Sequence, residues 1–195
     1  RILRFQNLSS TTASMVYGQP NFMANAANSG GVSRTSLNSP TAICFDEQNR
    51  MYVSDKLNNR VLIFNDDGDT IADYVLGQTD FVGNTSGVGN NKFNNPFGVF
   101  VDNAGGLYVA DNGNHRVLYF KYPFTKDSAD TVLGQSDFNG NIANNGGLSA
   151  FTLNSPKFII DDDSALFISD GENNRILKYN GEQSPLPAQI SVFAL

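Results

Sequence analysis

Short apolar runs separated by polar turn sequences follow one another along the chain. In one stretch they occupy residues 41–46, 51–54, 60–64 and 73–76. The runs are rich in Val, Ile, Phe and Tyr, which fit a pleated, half-buried surface. No segment sustains the 3.6-residue period of an amphipathic helix. The pattern therefore predicts four short antiparallel strands bounded by turns.

The same pattern occurs three times in register, which is the sequence signature of a repeat architecture. Each copy has a Pro before its first strand and the motif Asp-x-x-Asn-x-Arg-(Val/Ile)-Leu after its second. The motif begins at Asp55, Asp111 and Asp170. A Gly-Gln element follows each fourth strand, with its glycine at Gly18, Gly77 and Gly134. These glycines stand 59 and 57 residues apart.

A four-stranded sheet of this composition has two apolar faces and cannot bury both by itself. Radial stacking of such sheets buries both faces and leaves only short, protected edges, as in a β-propeller. A solenoid is the alternative, but four-stranded units of this length favour blades over rungs. The predicted fold is all-β, a β-propeller of four-stranded antiparallel blades.

The repeat count predicts an incomplete ring within a single partial propeller domain over residues 1–195. Residues 1–5 align with 60–64, so the chain opens on the third strand of a preceding blade that ends at residue 20. Three further blades are predicted over residues 21–78, 79–135 and 136–195, the last strand being 190–195. Propellers have about 4–8 blades. We therefore expect a segment of a longer polypeptide, with ring completion between chains as the alternative.

The motif after the second strand, the apolar strand before it and the (Leu/Tyr)-Gly-Gln-x-(Asp/Asn)-Phe element resemble the NHL repeat family. The resemblance covers almost the whole chain and implies blades of NHL type. NHL domains are usually six-bladed propellers that bind proteins, RNA or other ligands, and a minority of related propellers are enzymes.

The repeated polar residues allow two interpretations, a ring of acid–base or anion-binding groups or a structural brace. A carboxylate that accepts backbone N–H groups and an arginine that holds the loop would build the turn in every copy. Presence in each copy favours the structural interpretation. The residues concerned are Asp55, Asn58, Arg60, Asp111, Asn114, Arg116, Asp170, Asn173 and Arg175. The recurring aromatic residues, among them Phe45, Phe97 and Phe158, are interpreted as core.

No catalytic residue, metal site or cofactor is predicted. The single histidine, His115, occupies a turn position that is Asn59 in the first copy, and we expect an exposed substitution. One histidine cannot supply the multi-histidine site on which the amidating-lyase relatives of the fold rely. The acidic clusters at 66–69 and 161–163 do not match the spacing of an EF-hand calcium loop.

Long polar connections precede each Pro and gather, by prediction, on one face of the propeller. Loops longer than about 12 residues are often functional, and Asn amides suit sugar hydroxyls or peptide backbones. The predicted ligand-binding residues are Asn28, Asn84, Asn90, Asn91, Asn144 and Asn145. The alternative is that these loops only cover the seams between blades. Asn7 and Asn84 also fit the N-glycosylation pattern.

The expected function is a non-enzymatic binding or scaffold module of an extracellular or cell-surface protein or assembly. Its partners would be proteins, the remaining blades or a glycan. A net charge of −6 with 13 Lys and Arg disfavours nucleic acid, and no apolar run is long enough for membrane insertion by this segment. The alternatives are a lyase- or lactonase-like propeller enzyme with its active site mostly in other blades, and a purely architectural module.

Overall fold

The computed structural model describes residues 1–180, whose regular structure consists of short β-strands and single 3-10 turns. The first two strands are β1 (Ile2–Arg4) and β2 (Met15–Tyr17). The next four are β3 (Pro40–Phe45), β4 (Met51–Asp55), β5 (Arg60–Phe64) and β6 (Tyr74–Leu76). They are followed by β7 (Pro96–Val101), β8 (Leu107–Asp111), β9 (Arg116–Phe120) and β10 (Thr131–Leu133). The last are β11 (Pro156–Asp161), β12 (Ala165–Asp170) and β13 (Arg175–Asn180).

The strands form four antiparallel sheets, each built from strands consecutive in sequence. Their orders are β1-β2, β3-β4-β5-β6, β7-β8-β9-β10 and β11-β12-β13. The predicted all-β fold is confirmed, and in the first complete blade the strand bounds are correct to within one residue. The predicted strand 190–195 lies outside the described residues. Within residues 1–180 the sheets do not close a ring.

The two-stranded sheet is the outer half of a blade. Ile2 pairs with Tyr17 as Val61 pairs with Leu76. β1 and β2 therefore take the places of the third and fourth strands, as the alignment of residues 1–5 predicts.

The sheets stack through their first strands, which lie innermost. The Thr41 hydroxyl on β3 donates a hydrogen bond to the carbonyl of Phe97 on β7 at 2.8 Å. Between β7 and β11 the backbones approach so closely that a Cβ on Gly98 would lie 2.2 Å from the carbonyl oxygen of Lys157. Neighbouring blades thus contact each other along a common inner edge, as in a propeller.

Both faces of a blade are buried because alternate residues of a strand point to opposite neighbours. On β5, Val61 and Ile63 join the core shared with the second complete blade. Leu62 and Phe64 join the core shared with the half-blade. A third core, which includes Ile168, fills the seam between the second and third complete blades.

Each blade has two different ends, a loop end and a hairpin end. At the loop end the second and third strands are joined by the 3-10 turns Lys56–Asn58, Asn112–Asn114 and Gly171–Asn173. The long connections between blades also leave from this end. At the hairpin end the chain turns back between the first and second strands and between the third and fourth.

Candidate binding surface at the loop end

An aspartate and an arginine brace the loop end of the first complete blade. Asp55 Oδ1 accepts the backbone N–H of Asn38 at 2.6 Å. Its Oδ2 accepts Asn58 Nδ2 and Arg60 Nε, both at 2.7 Å. The guanidinium also donates to the carbonyl of Phe81 at 2.6 Å and to that of Ser36 at 2.8 Å. Arg60 therefore ties the connection that enters its blade to the connection that leaves it.

The second blade repeats this arrangement. Arg116 Nε donates to Asp111 Oδ2 at 2.8 Å, and the guanidinium donates to the carbonyls of Gly89, Lys92 and Phe138. Burial raises the pKa of Asp111 to about 6, against the opposing effect of the Arg116 guanidinium. Each oxygen of this carboxylate already accepts a hydrogen bond, which is the geometry of a brace.

The third copy is less complete within the described residues. Arg175 pairs with Asp170 at 2.7 Å and donates to the carbonyls of Ser149 and Thr152. A carbonyl from a following connection, as Phe81 and Phe138 supply, is not among its partners in residues 1–180. Its side chain is 21% exposed, whereas that of Arg116 is fully buried.

Two of the predicted ligand-binding asparagines are engaged inside the protein. The amides of Asn28 and Asn58 bond to each other in both directions, at 2.9 and 2.8 Å. Asn144 and Asn173 form the same pair at the same distances. These four amides hold a connection onto a 3-10 turn, and ligand binding by Asn28 and Asn144 stays a prediction.

The other four predicted asparagines lie at three places along the connections, Asn90 and Asn91 being adjacent. The carbonyl of Asn84 accepts Asn59 Nδ2 at 2.9 Å and its side chain is exposed. The backbone carbonyl of Asn90 accepts the N–H of Ala129, which lies just before β10. Asn91 is half-buried and Asn145 is exposed. No described hydrogen bond joins any two of the six, and ligand binding by them stays a prediction. Glycosylation likewise stays a prediction at Asn7 and Asn84, which are both exposed.

A contiguous surface lies at the inner edge of the loop end, and the sequence did not predict it. The Lys56 ammonium stands 5.5 Å from the ring centroid of Phe97. That ring meets the Phe158 ring edge to face at 5.5 Å. Beside them Lys157 pairs with Glu172 at 3.4 Å. We call this surface the inner rim; its residues are Lys56, Phe97, Lys157, Phe158 and Glu172.

The inner rim is apolar at its centre and cationic at its edge. Phe158, at its centre, is 57% exposed, so the interpretation of Phe158 as core is wrong for the described structure. Lys56 and Lys157 carry two positive charges against the single negative charge of Glu172. The rim is thus locally cationic on a chain whose net charge is −6.

A sequence signal for the inner rim exists, but it is variation between copies rather than recurrence. Lys56 corresponds to Asn112 and to Gly171, the first residues of the three 3-10 turns. Thr41, Phe97 and Lys157 likewise share one position, directly after the Pro of each copy. Residues that build the blade must recur, whereas residues that recognise a ligand need not.

A groove of about 470 Å³ lies on the other side of the first complete blade, between β1 and β3. Phe45 and Ile43 line it and are exposed, so the interpretation of Phe45 as core is also wrong here. The groove lies between the two-stranded sheet of β1 and β2 and the four-stranded sheet of the first complete blade.

His115 is half-buried and hydrogen-bonded, which differs from the expected exposed turn residue. Its Nδ1 accepts the backbone N–H of Ser155 at 3.1 Å. Burial lowers its pKa. Within residues 1–180 no three His, Cys, Asp or Glu side chains come together as a metal site. No helix in this range could cross a membrane.

Comparison with known protein families identifies one repeat within this chain. The family model described as NHL repeat matches residues 93–120, so the second complete blade contains an NHL repeat. The predicted NHL resemblance is thereby confirmed. Its strands and brace recur in the blades on either side. Curated protein sequences yield no match.

Solved structures with a similar fold include two lyases. One is a streptogramin B lyase, 14% identical, with a TM-score of 0.40 over 80% of this chain and 58% of that chain. Another is the virginiamycin B lyase from Staphylococcus aureus, 15% identical, with a TM-score of 0.42 over 80% of this chain and 55% of that chain. The present chain therefore spans little more than half the length of either. Similarity at this level carries no argument about activity.

Proposed function

We propose that this chain is a non-enzymatic binding module of NHL-propeller type that holds a protein partner on the inner rim. The observation that carries the proposal is the contact of Lys56, Phe97 and Phe158 across three successive blades. An exposed aromatic centre with charged groups at its edge is the composition of a protein-binding patch.

The inner rim is rigidly supported, which lowers the entropy cost of binding. Phe97 follows Pro96 on β7, and its carbonyl is bonded to Thr41 of the blade before it. On the other side, Asn112 Nδ2 donates to the carbonyl of Pro156 at 3.1 Å. Backbone contacts on both sides therefore fix the spacing of the rim residues.

The chemistry of the rim favours an acidic protein segment with an apolar or aromatic anchor. Such a segment would place its anchor against Phe97 and Phe158, whose rings are in contact, and its carboxylates near Lys56 and Lys157. Charge complementarity of this kind guides association and selects among partners. The proposed extracellular or cell-surface location rests only on composition and on the habit of the NHL family that the chain resembles.

The test is a comparison of two double variants at opposite ends of the blades. The rim variant is Lys56→Glu with Phe158→Ser. The matched control at the hairpin end is Lys126→Glu with Tyr122→Ser, which also reverses one exposed lysine and removes one exposed ring. Proteins captured by the wild-type chain would be purified, and their Kd values for all three chains measured by calorimetry.

We expect the rim variant to weaken binding at least about tenfold, the effect of losing an interface hot spot. The control variant should bind within about twofold of the wild type, as is usual for a residue outside the interface. Equal binding by the rim variant and the wild type would overturn the proposal. So would a purified partner that is a glycan, or catalytic turnover of a bound small molecule.

A further inference from the structure

His115 stands where the first blade has an asparagine with the same backbone and the same task. Asn59 is left-handed, with φ 52°, and its Oδ1 accepts the backbone N–H of Asn95 at 2.8 Å. His115 is left-handed, with φ 53°, and its Nδ1 accepts the backbone N–H of Ser155. Asn95 and Ser155 each directly precede the Pro that begins the first strand of the next blade. Asn59 and His115 each therefore form a side-chain staple across a seam.

We infer that His115 makes the seam between the second and third complete blades acid-sensitive, whereas Asn59 keeps the preceding seam insensitive. An amide oxygen accepts a hydrogen bond at any ordinary pH. An imidazole nitrogen accepts only while it carries a lone pair, and both nitrogens of a protonated ring are donors. Protonation of Nδ1 would thus set one donor against another and remove the staple.

The surroundings of His115 favour the neutral ring. Burial lowers its pKa, while a hydrogen bond with the Asn154 side chain and the charge of Asp170 act in the opposite direction. Asp170 is already paired with Arg175 and Asn173. On the histidine's own blade, Arg116 is paired with Asp111.

The sign of the pH effect follows from the lowered pKa. A ring whose pKa is lower in the folded chain binds protons better when the seam is open. Its stabilising contribution is complete above the ordinary histidine value of 6.5 and falls as the pH drops through the folded value. The raised pKa of Asp111 acts with the opposite sign, so wild-type data alone would mix the two effects.

The seam also positions part of the inner rim. Ser155 precedes Pro156, Lys157 and Phe158, and Phe158 contacts Phe97 across the same seam. Opening of the staple would therefore loosen the third blade where it meets the second. The inference itself does not depend on the proposed binding function, since its readout is the seam.

The test uses amide hydrogen exchange at the two stapled residues, corrected for intrinsic exchange rates, between pH 8 and pH 5. His115→Asn copies the staple of the first blade and retains Asp111 and Asp170. Asn59→His makes the reciprocal change. In the wild type, protection at Ser155 should fall in acid more than protection at Asn95. Each unit by which the folded pKa lies below that of a free ring corresponds to about a tenfold loss at full protonation.

In His115→Asn, protection of the Ser155 amide should fall in acid no more than protection of the Asn95 amide. In Asn59→His, protection of the Asn95 amide should fall more in acid than it does in the wild type. The inference is overturned if Ser155 protection in His115→Asn has the same pH dependence as in the wild type. It is also overturned if the His115 ring in the folded protein titrates at or above 6.5 by NMR. If Asn59→His does not fold, the pH dependence of Ser155 protection in His115→Asn and the NMR titration of the His115 ring still test the inference.

Discussion

Asp111 and Arg116 form an ion pair of 2.8 Å in which neither side chain has exposed surface. A buried pair of this kind contributes little by itself, but loss of one partner leaves an uncompensated charge in the interior. Arg116 also satisfies three carbonyls of two different connections, so its removal would leave several buried acceptors unpaired.

Arg116→Ala should therefore lower the free energy of unfolding by about 3–5 kcal/mol. Lys126→Ala, which removes a partly exposed pair with Asp130, should cost about 1 kcal/mol or less. Denaturant unfolding measures the free energy of unfolding of both variants, provided that their m-values equal that of the wild type. Arg175→Ala should fall between them, because this side chain is partly exposed and has fewer partners in the described residues. Wild-type stability in Arg116→Ala would refute the brace.

Gly77→Ala and Gly68→Ala separate a steric clash from backbone strain. The two glycines have φ +88° and +89°. A Cβ on Gly77 would lie 2.2 Å from the buried ring of Phe93, whereas a Cβ on Gly68 would meet nothing within 4 Å. Gly68→Ala should cost about 1–2 kcal/mol from left-handed strain, and Gly77→Ala clearly more. Equal losses in thermal unfolding would show that Phe93 can move aside.

Cys44 should be nearly unreactive in the folded chain. Burial raises the pKa of its thiol to about 12, and only the thiolate is a good nucleophile. At pH 8 the thiolate fraction would be lower than in the unfolded chain by about three orders of magnitude. Iodoacetamide labelling followed by mass spectrometry should therefore be slow in buffer and fast in denaturant. Equal labelling rates would show that the thiol is open to solvent.

Phe158 and Phe120 should respond differently to truncation. Phe120→Ala empties a fully buried site and should cost about 3–5 kcal/mol. Phe158→Ser removes an exposed ring and should cost about 1 kcal/mol or less. Thermal unfolding of both variants checks this. A large loss in Phe158→Ser would mean that the ring supports the fold, and the rim variant would then be unsuitable as a binding test.

Sequence pattern was sufficient for the strands and for the all-β fold because both rest on local signals. The alternation of apolar residues predicts the strands. The spacing of Gly18, Gly77 and Gly134 predicts the length of the repeat. The brace could also be foreseen, since Asp111 and Arg116 lie close together in the chain and recur as a pair.

The inner rim and the staple could not be foreseen because each depends on contacts across a seam. Lys56 and Phe97, like His115 and Ser155, are about 40 residues apart in sequence. Asparagines recur in the long connections, and this recurrence predicted a ligand site there. In the structure Asn28 and Asn144 are held in internal pairs. The position of Phe158 beside Phe97 is a contact across a seam, and no pattern within one copy reports such a contact.

Arg60 and Arg116 couple neighbouring blades, which affects how cooperatively the chain unfolds. Each guanidinium joins two successive connections, so one blade cannot detach without breaking the brace of its neighbour. Strong coupling between neighbouring repeats makes an array lose its structure in a single transition. Forms with one blade released would expose unpaired strand edges that associate with other chains. We therefore expect Arg60 and Arg116 to keep such forms rare, and so to limit aggregation as well as to hold the turns.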